Sequence, residues 1–298
     1  MSQINSIMST RFTRTGSLRQ IQSQQNTKVN GALFDFKFTP DSAYLSGDKF
    51  GILKNCFVDL LLRQGGNPSG GGGSELIIDS VPLYQILQYS DCIAGVSVNA
   101  TQMTAGSEWR ISGYLPFGFF GLGARDSLDL EVYCGSAPAL DFDLTVSTVY
   151  NKDQLSLIRK YQTSKPTGSD QSYTNVVAAF IDTATPLAKS VTIRDEVNDN
   201  STINVEDAIA YTNAVGNFEV FTRFGQLYED VYGVGQNLTM KCPTDNADTE
   251  ILLVSYLYNK NFLISSADNF TANKDLLYTK IRNQGGDKAD YLSAIGLL

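Results

Sequence analysis

The chain has 298 residues, 42% hydrophobic and 18% charged, which places it among globular proteins and gives it length for one large domain or two medium ones, each with a core. Its net charge of −8 argues against nonspecific nucleic-acid binding by the body of the protein, since phosphate contacts need clustered Lys and Arg. With no histidine at all, the sequence excludes Ser-His-Asp and Cys-His catalysis, histidine metal sites and the usual proton shuttle near neutral pH.

The charge is unevenly spread. Residues 1–34 carry Arg11, Arg14, Arg19 and Lys28 and no acid, so a basic start precedes an acidic remainder. The stretch "SLRQIQSQQNTK" is too polar to fold alone, and residues 1–30 are expected to form a basic flexible N-terminal arm. Ile4, Ile7, Met8 and Phe12 have helical spacing, but Arg11 falls on the same face, so a membrane-lying helix there would be imperfect. No apolar run suited to a secretory signal stands near the start. Nor is there a stretch of about 20 apolar residues able to span a membrane.

Beyond the arm the chain reads mostly as strands. "ALFDFKFT" (32–39) alternates Phe34, Phe36 and Phe38 inward with Asp35 and Lys37 outward, the period of a half-buried strand. "FVDLLLR", "LDLEVYC", "DFDLTVSTVY", "SVTIRDE", "GNFEVFTRF" and "EILLVSYLY" read likewise. The Gly-rich "GGNPSGGGGSEL" (65–76) is read as the tip of a hairpin whose arms are "DLLLRQ" and "ELIIDS". Helices are few. Ser80 is expected to cap one over "VPLYQILQYS", with Leu83, Ile86 and Leu87 on one face, and Asn204 to cap another over "VEDAIAYTNA", with Asp207 at the third position and Ala208, Ile209 and Thr212 inward. A C-terminal helix is expected over "NKDLLYTKIRNQ".

The elements repeat. Tyr-Asn-Lys occurs at Tyr150 and again at Tyr258, and sixteen residues before each stands a cysteine, Cys134 and Cys242. Leu130, Val132 and Cys134 match Leu238, Met240 and Cys242 in one register, and Leu144, Val146 and Ser147 match Leu252, Val254 and Ser255. An aromatic residue followed by Gly-aliphatic-Gly precedes both cysteines, at Phe120–Gly123 and Tyr232–Gly235. This is the pattern of a tandem duplication. Cys56, Cys92, Cys134 and Cys242 form no Cys-x-x-Cys, so neither zinc nor redox chemistry is indicated; buried free thiols are expected.

Eight strands of five or six residues plus turns fill each copy, which suits a jelly roll. The predicted fold is all-β: two tandem jelly-roll β-barrels, a double jelly roll, each with a short helix. The expected boundaries are an arm at 1–30, a first jelly roll at 31–163, a linker at 164–174 and a second jelly roll with a C-terminal helical segment at 175–298. An immunoglobulin-like pair is the alternative, but it would not place a helix at the same point of each copy.

Two successive jelly rolls, a helix in each, a basic arm and no catalytic constellation resemble the double jelly-roll major capsid proteins of icosahedral, internal-membrane-containing bacteriophages. The likeness covers roughly residues 31–298 and is architectural. It implies a homotrimer whose six jelly rolls form a pseudo-hexagonal capsomer, joined by neighbouring capsomers, penton and minor capsid proteins in a shell over lipid, assembled in the host cytoplasm and found in the virion. Three copies of a doubled unit approximate six-fold symmetry, which gives duplication a use. On this reading Arg11, Arg14, Arg19 and Lys28 face the interior or the inner membrane lipid, no specific nucleic acid is bound, and no cofactor, metal or catalytic residue is implied.

Two rivals remain open at this stage. A two-jelly-roll enzyme acting on glycans would use paired carboxylates, for which Asp126 with Asp129 and Glu229 with Asp230 are candidates; acidic pairs in turns are more often solvated surface. A virion spike or adhesin is the other, against which the basic arm counts. The run "RDEVNDNST" (194–202) offers oxygen ligands but lacks the glycine and spacing of an EF-hand loop. "GLGARDS" (121–127) follows neither dinucleotide nor P-loop spacing. Trp109, the only tryptophan, is expected to anchor a core or an interface.

Overall fold

The structure, a computed structural model, describes residues 3–16, 19–42, 53–65, 73–94, 104–151, 159–165, 168–183, 190–195, 201–216, 224–229, 236–242 and 249–256. The chain divides into two compact units, the first including Met1–Ser90 and Thr101–Ile158, the second Arg159–Lys260.

The first unit is built from β1 (Gln3–Phe12), β2 (Arg19–Gln24), β3 (Lys28–Phe38), β4 (Cys56–Gln64), β5 (Gly73–Pro82), α1 (Leu83–Ala94), β6 (Trp109–Gly121), β7 (Ser127–Cys134) and β8 (Phe142–Tyr150). One sheet runs β1-β8-β3-β6 and the other β2-β7-β4-β5, with antiparallel neighbours. Successive strands keep crossing between the two sheets, so almost every pairing is between segments remote in sequence. That is the wiring of a jelly roll. The alternation seen in the sequence sets the core: Phe34, Phe36 and Phe38 are buried, as are Leu128, Leu130 and Val132 of β7, while the residues between them point outward.

One rung of the first sheet shows how aromatic residues weld four strands. Phe12 faces Phe142, Phe142 faces Phe38, and Phe38 faces Trp109. Ring centroids stand 5.0 Å apart for Phe12 and Phe142 and 6.3 Å for Phe38 and Trp109, within the range of favourable ring pairs. Trp109 is thus a core anchor. The two arms of the predicted glycine-rich hairpin do pair, Leu61 facing Leu76 and Gln64 facing Gly73.

The second unit repeats the plan with β9 (Arg159–Ser164), β10 (Gln171–Thr183), β11 (Ser190–Asp195), β12 (Ser201–Asn204), α2 (Val205–Gly216), β13 (Phe224–Glu229), β14 (Gln236–Lys241) and β15 (Thr249–Tyr256). β9-β15-β10-β13 matches β1-β8-β3-β6, and β14-β11-β12 matches β7-β4-β5. The long strand β10 does the work of both β2 and β3. Gln171–Tyr173 pair with β14, and from Val176 onward the strand pairs with β15. Registers agree over the middle of the strands: Phe36 faces Leu144 as Phe180 faces Leu252, and Phe34 faces Val146 as Ala178 faces Val254, before a shift between Val176 and Ala178 in the second unit. Its own core gathers Val176, Ile181, Val191, Leu238, Met240, Cys242 and Leu253. The fold is therefore a double jelly roll; the first unit's strands fall in two sheets, those of the second are joined through β10 into one hydrogen-bonded run, and no closed barrel forms among the described residues.

Several sequence expectations need correction. Residues 1–30 are no flexible arm: β1 and β2 are edge strands of the first jelly roll, hydrogen-bonded along β8 and β7. Their composition is polar because an edge strand buries one sparse row, here Met8 and Phe12. For the same reason Ile4, Ile7, Met8 and Phe12 lie on a strand, with a register shift between Ser6 and Met8, and not on a helix. The boundary of the first unit falls after Ile158, because Arg159–Ser164 pair with β15 of the second. The expected linker at 164–174 already contains the end of β9 and the start of β10.

Ser80 is not a helix cap. It sits inside β5 with a left-handed φ of 51°, and its N–H and hydroxyl both donate to Asp59 Oδ1, at 2.5 and 3.3 Å. Helix α1 begins at Leu83 without it and is buried from Leu83 through Ser90, Gln85 and Gln88 included. Asn204 does cap α2: its Oδ1 accepts from the Glu206 N–H at 3.0 Å, with Glu206 and Asp207 in the first turn where the helix dipole favours acids. Tyr258, Tyr232–Gly235, residues 196–200 and the predicted C-terminal helix lie outside the described residues.

Candidate functional site

Of the four basic residues singled out by charge, Arg11, Arg14 and Arg19 stand on or beside the edge strands β1 and β2, and Lys28 starts the interior strand β3. Arg11 projects from β1 one position before the aromatic rung, hence on the outer face. There it lies 3.8 Å from Asp141 and 4.0 Å from Asp143. Arg14, just past the strand, pairs with Asp41 at 3.0 Å, while its backbone N–H donates to Asp141 at 3.0 Å. Arg19 opens β2 and bonds Glu131 of β7. Lys28 opens β3 and faces Gly121 of β6. The structure therefore spreads these cations over two sheets and returns three of them to acids of the same unit. The complementary acids Asp41, Glu131, Asp141 and Asp143 were the signal: a basic segment beside an acidic body can fold onto it.

Where β1, β3 and β8 end together, a cleft of about 430 Å³ opens, lined by Arg11, Arg14, Lys37, Asp41, Asp141 and Asp143 among others. Its charges interleave. The outer rung reads Arg11, Asp143, Lys37, Arg110 across four strands, and Arg110 reaches diagonally to Asp35 at 2.7 Å. Burial raises the Asp35 carboxyl, but hydrogen bonds from Arg110 and Ser112 and the nearby cations outweigh it and hold Asp35 below the usual carboxylate range. A carboxylate so held is a fixed anion, unsuited to donating a proton near neutral pH.

The outer face of the second sheet carries a similar ladder. Asp129 accepts from Ser23 and, at 2.5 Å, from Arg63. Burial pushes Asp129 up; hydrogen bonds from Ser23, Arg63 and Ser127 and the Arg63 charge prevail and keep it low. One rung further, Asp59 faces Glu131. Burial raises the Asp59 carboxyl, its two bonds from Ser80 only partly offset this, and the like charges of Glu131 and Asp79 add to the rise. Tyr133 donates to the Ser80 hydroxyl at 3.2 Å and stacks on Phe57.

Asp126 and Asp129, considered for glycan chemistry, do not make a site. Asp126 accepts from the backbone N–H of Gly123 at 2.9 Å and of Gly65 at 3.2 Å, so it fastens two turns. Asp129 is held by Ser23 and Arg63, and its lowered pKa is the reverse of what a general acid needs. Glu229 ends β13, and Asp230 lies outside the described residues. Among the described residues no group of three or more Cys, Asp or Glu could hold a metal ion, and no helix is long and apolar enough to cross a membrane. Arg194, at the start of the acidic run, pairs with Asp170 at 3.9 Å.

No protein-family model matches the chain, and no curated protein matches it in sequence. Solved structures do match in fold. The STIV MCP is similar with a TM-score of 0.54 at 8% identity, over 90% of this chain and 99% of that one. A chain in the atomic structure of Sulfolobus Turreted Icosahedral Virus gives 0.58 at 8% identity, over 94% and 98%. The major capsid protein P2 from bacteriophage PM2 gives 0.47 at 10% identity, over 86% and 98%. By the first two likenesses, the chain has the double jelly-roll fold of a viral major capsid protein over nearly its whole length.

Proposed function

We propose that this chain is a structural major capsid protein, three copies of which build a pseudo-hexagonal capsomer of an icosahedral shell over an internal lipid membrane. The observation that carries the reading is the doubled wiring: two units with matching strand order and matching registers over the middle of β3–β8 and β10–β15, in a fold similar to that of the STIV MCP over most of the chain. A trimer of such chains presents six near-equivalent units to its neighbours, which lets one protein tile a surface. Neighbouring capsomers, a penton protein and minor capsid proteins are its partners, the virion shell is its location, and the host cytoplasm is where it assembles. The reading assigns it no catalysis. The low pKa values of Asp35 and Asp129 and the occupied oxygens of Asp126 support that. With β1 committed to a sheet, contact with lipid would come from a folded surface and not from a loose basic tail.

Assembly tests the proposal directly. Light scattering on the purified chain is expected to give a trimer mass that persists on dilution, with an interface above the roughly 2,000 Å² typical of obligate contacts, and negative-stain images are expected to show pseudo-hexagonal particles. A monomer at every concentration would overturn it.

A further inference from the structure

The sequence points to buried thiols at Cys134 and Cys242, and among the described residues Cys56, Cys134 and Cys242 are buried and in no disulfide. Two of them are not separate. Cys56 opens β4, Cys134 closes β7, and they face each other directly across antiparallel strands, with Sγ atoms 2.7 Å apart. Directly opposed residues of an antiparallel pair have Cα separations of about 4.5 to 5.5 Å, inside the window of about 4.4 to 6.8 Å that a disulfide spans. The rungs on either side fix this geometry. Phe57 stacks on Tyr133 with centroids 5.4 Å apart, and beyond the cysteines Gly135 N–H donates to Asn55 O at 2.8 Å while Asn55 Nδ2 donates to Ser136 Oγ at 3.2 Å.

We propose that Cys56 and Cys134 are a redox site that closes, on exposure to a peroxide, into an intrachain disulfide stapling β4 to β7 in the first jelly roll. The two sulfurs share a hydrogen bond in which either can donate; with Cys56 as the donor, the bond draws the Cys134 thiol below its usual range and, with burial, pushes Cys56 above it, so Cys134 is the first to react. It is also the more accessible, at 6% exposure against 0% for Cys56. The Cys134 thiolate attacks one peroxide oxygen, the O–O bond breaks, and the departing hydroxide takes the thiol proton as water, leaving a sulfenic acid. Cys56 then attacks that sulfur through its own sulfur, its proton leaves with the sulfenic hydroxyl as a second water, and the S–S bond forms. In sum two thiols are oxidised by two electrons and hydrogen peroxide is reduced to two waters. No third metal-ligating side chain joins the pair among the described residues.

The second unit holds a built-in contrast. Cys242 follows β14 where Cys134 ends β7; the β11–β14 register ends with Ile193 on Met240 and Thr192 on Lys241, and one step further would set Val191 against Cys242, its neighbour in the same core cluster. Both are buried. A valine thus fills in the second unit the place that Cys56 takes in the first, which makes Cys56→Val a variant the fold already accommodates. The staple follows from the chain's own geometry and stands whether or not the chain is a capsid subunit.

The test treats the folded full-length protein with hydrogen peroxide, removes the oxidant, unfolds it in N-ethylmaleimide and maps the peptides by mass spectrometry without reductant. The Cys56 and Cys134 thiols alone are expected to disappear from the alkylation pattern and to reappear as one cross-linked peptide pair, restored to thiols by dithiothreitol, with Cys242 alkylated before and after. Cys56→Val is expected to lose that cross-link, and the rise in Tm that oxidation brings to the parent chain is expected to be absent from it. Full alkylation of Cys56 and Cys134 after peroxide, conversion of Cys134 to sulfinic acid without a cross-link, or a disulfide to any other cysteine would each overturn the proposal.

Discussion

Asn26 and Asn175 hold the same left-handed turn at the same corner of the two units, with φ of 51° and 55°. Asn26 lies between β2 and β3; Asn175 lies inside β10, between the part that pairs with β14 and the part that pairs with β15. In each unit the chain changes partner strand at this point, from β7 to β6 and β8 beyond Asn26 and from β14 to β15 beyond Asn175. Left-handed backbone is costly for residues with a Cβ, least so for Asn, and free of that cost for Gly. Asn26→Gly and Asn175→Gly are therefore expected to be near neutral. The corresponding valine variants are expected to lose about 1 to 3 kcal/mol each, measured by urea denaturation. Equal tolerance of valine at both would mean that these corners carry no such constraint.

Phe12 distinguishes a structural strand from a loose tail. It is completely buried and stacked on Phe142, so Phe12→Ala is expected to cost about 3 to 5 kcal/mol. Ile4 on the same strand is 60% exposed, and Ile4→Ala should change stability by no more than about 0.5 kcal/mol. A negligible loss for Phe12→Ala in chemical denaturation would return the segment to a tail.

Gly113 marks where α1 touches β6. A Cβ there would sit 2.7 Å from Leu87 Cδ2 and 3.3 Å from the Leu87 Cα, so the Leu87 side chain would have to turn away and the helix give by a few tenths of an ångström. Gly113→Ala is expected to lose about 1 to 3 kcal/mol by overpacking. Gly135, whose added Cβ would meet Phe57 at an ordinary 3.6 Å, is the control, with Gly135→Ala expected within about 0.5 kcal/mol of the parent. Thermal melts of the two variants, read side by side, check both.

Asp59 and Asp129 should respond to pH in opposite senses. The folded pKa of Asp59 is raised, so its contribution to stability is present below the unfolded carboxylate value of about 3.9 and is lost as pH rises through the folded value. At pH 7 its charge is a cost. Asp59→Asn keeps an Oδ1 for the two Ser80 donors and is expected to stabilise at pH 7, by less than about 1 kcal/mol because solvent screens a half-buried site, with the gain gone below about pH 4. The folded pKa of Asp129 is lowered, so its contribution is present above the unfolded value and fades as pH falls through the folded one. Asp129→Asn should destabilise at pH 7 and converge on the parent in acid. Stability curves of the two variants between pH 3 and 7 that run parallel would contradict both assignments.

Local pattern carried the sequence reading where burial is dense and alternates. Phe34, Phe36 and Phe38 announce β3 by themselves, and Leu130, Val132 and Cys134 announce β7 and, by their echo in Leu238, Met240 and Cys242, the second copy of it. Asn204 announced its helix because a cap acts on the next few residues only. A period-two row of large apolar side chains has one way to be buried, so strand, inward face and duplication were all legible without neighbours.

Tertiary structure alone decided the rest, because the interactions involved join residues remote in sequence. β2 buries almost nothing of its own and exists through its ladder to β7 and the bond from Ser23 to Asp129, 106 residues away. Ser80 looked like a cap until Asp59, on the neighbouring strand, claimed its donors. Arg14 looked like part of a free tail until Asp41 and Asp141 were brought beside it. Cys56 and Cys134 stand 78 positions apart and become partners only through the register of β4 on β7, since a shift by one residue would turn one of the two to the opposite face of the sheet. Sequence determined which side chains had to be inside; the pairing of distant strands decided which of the others would meet.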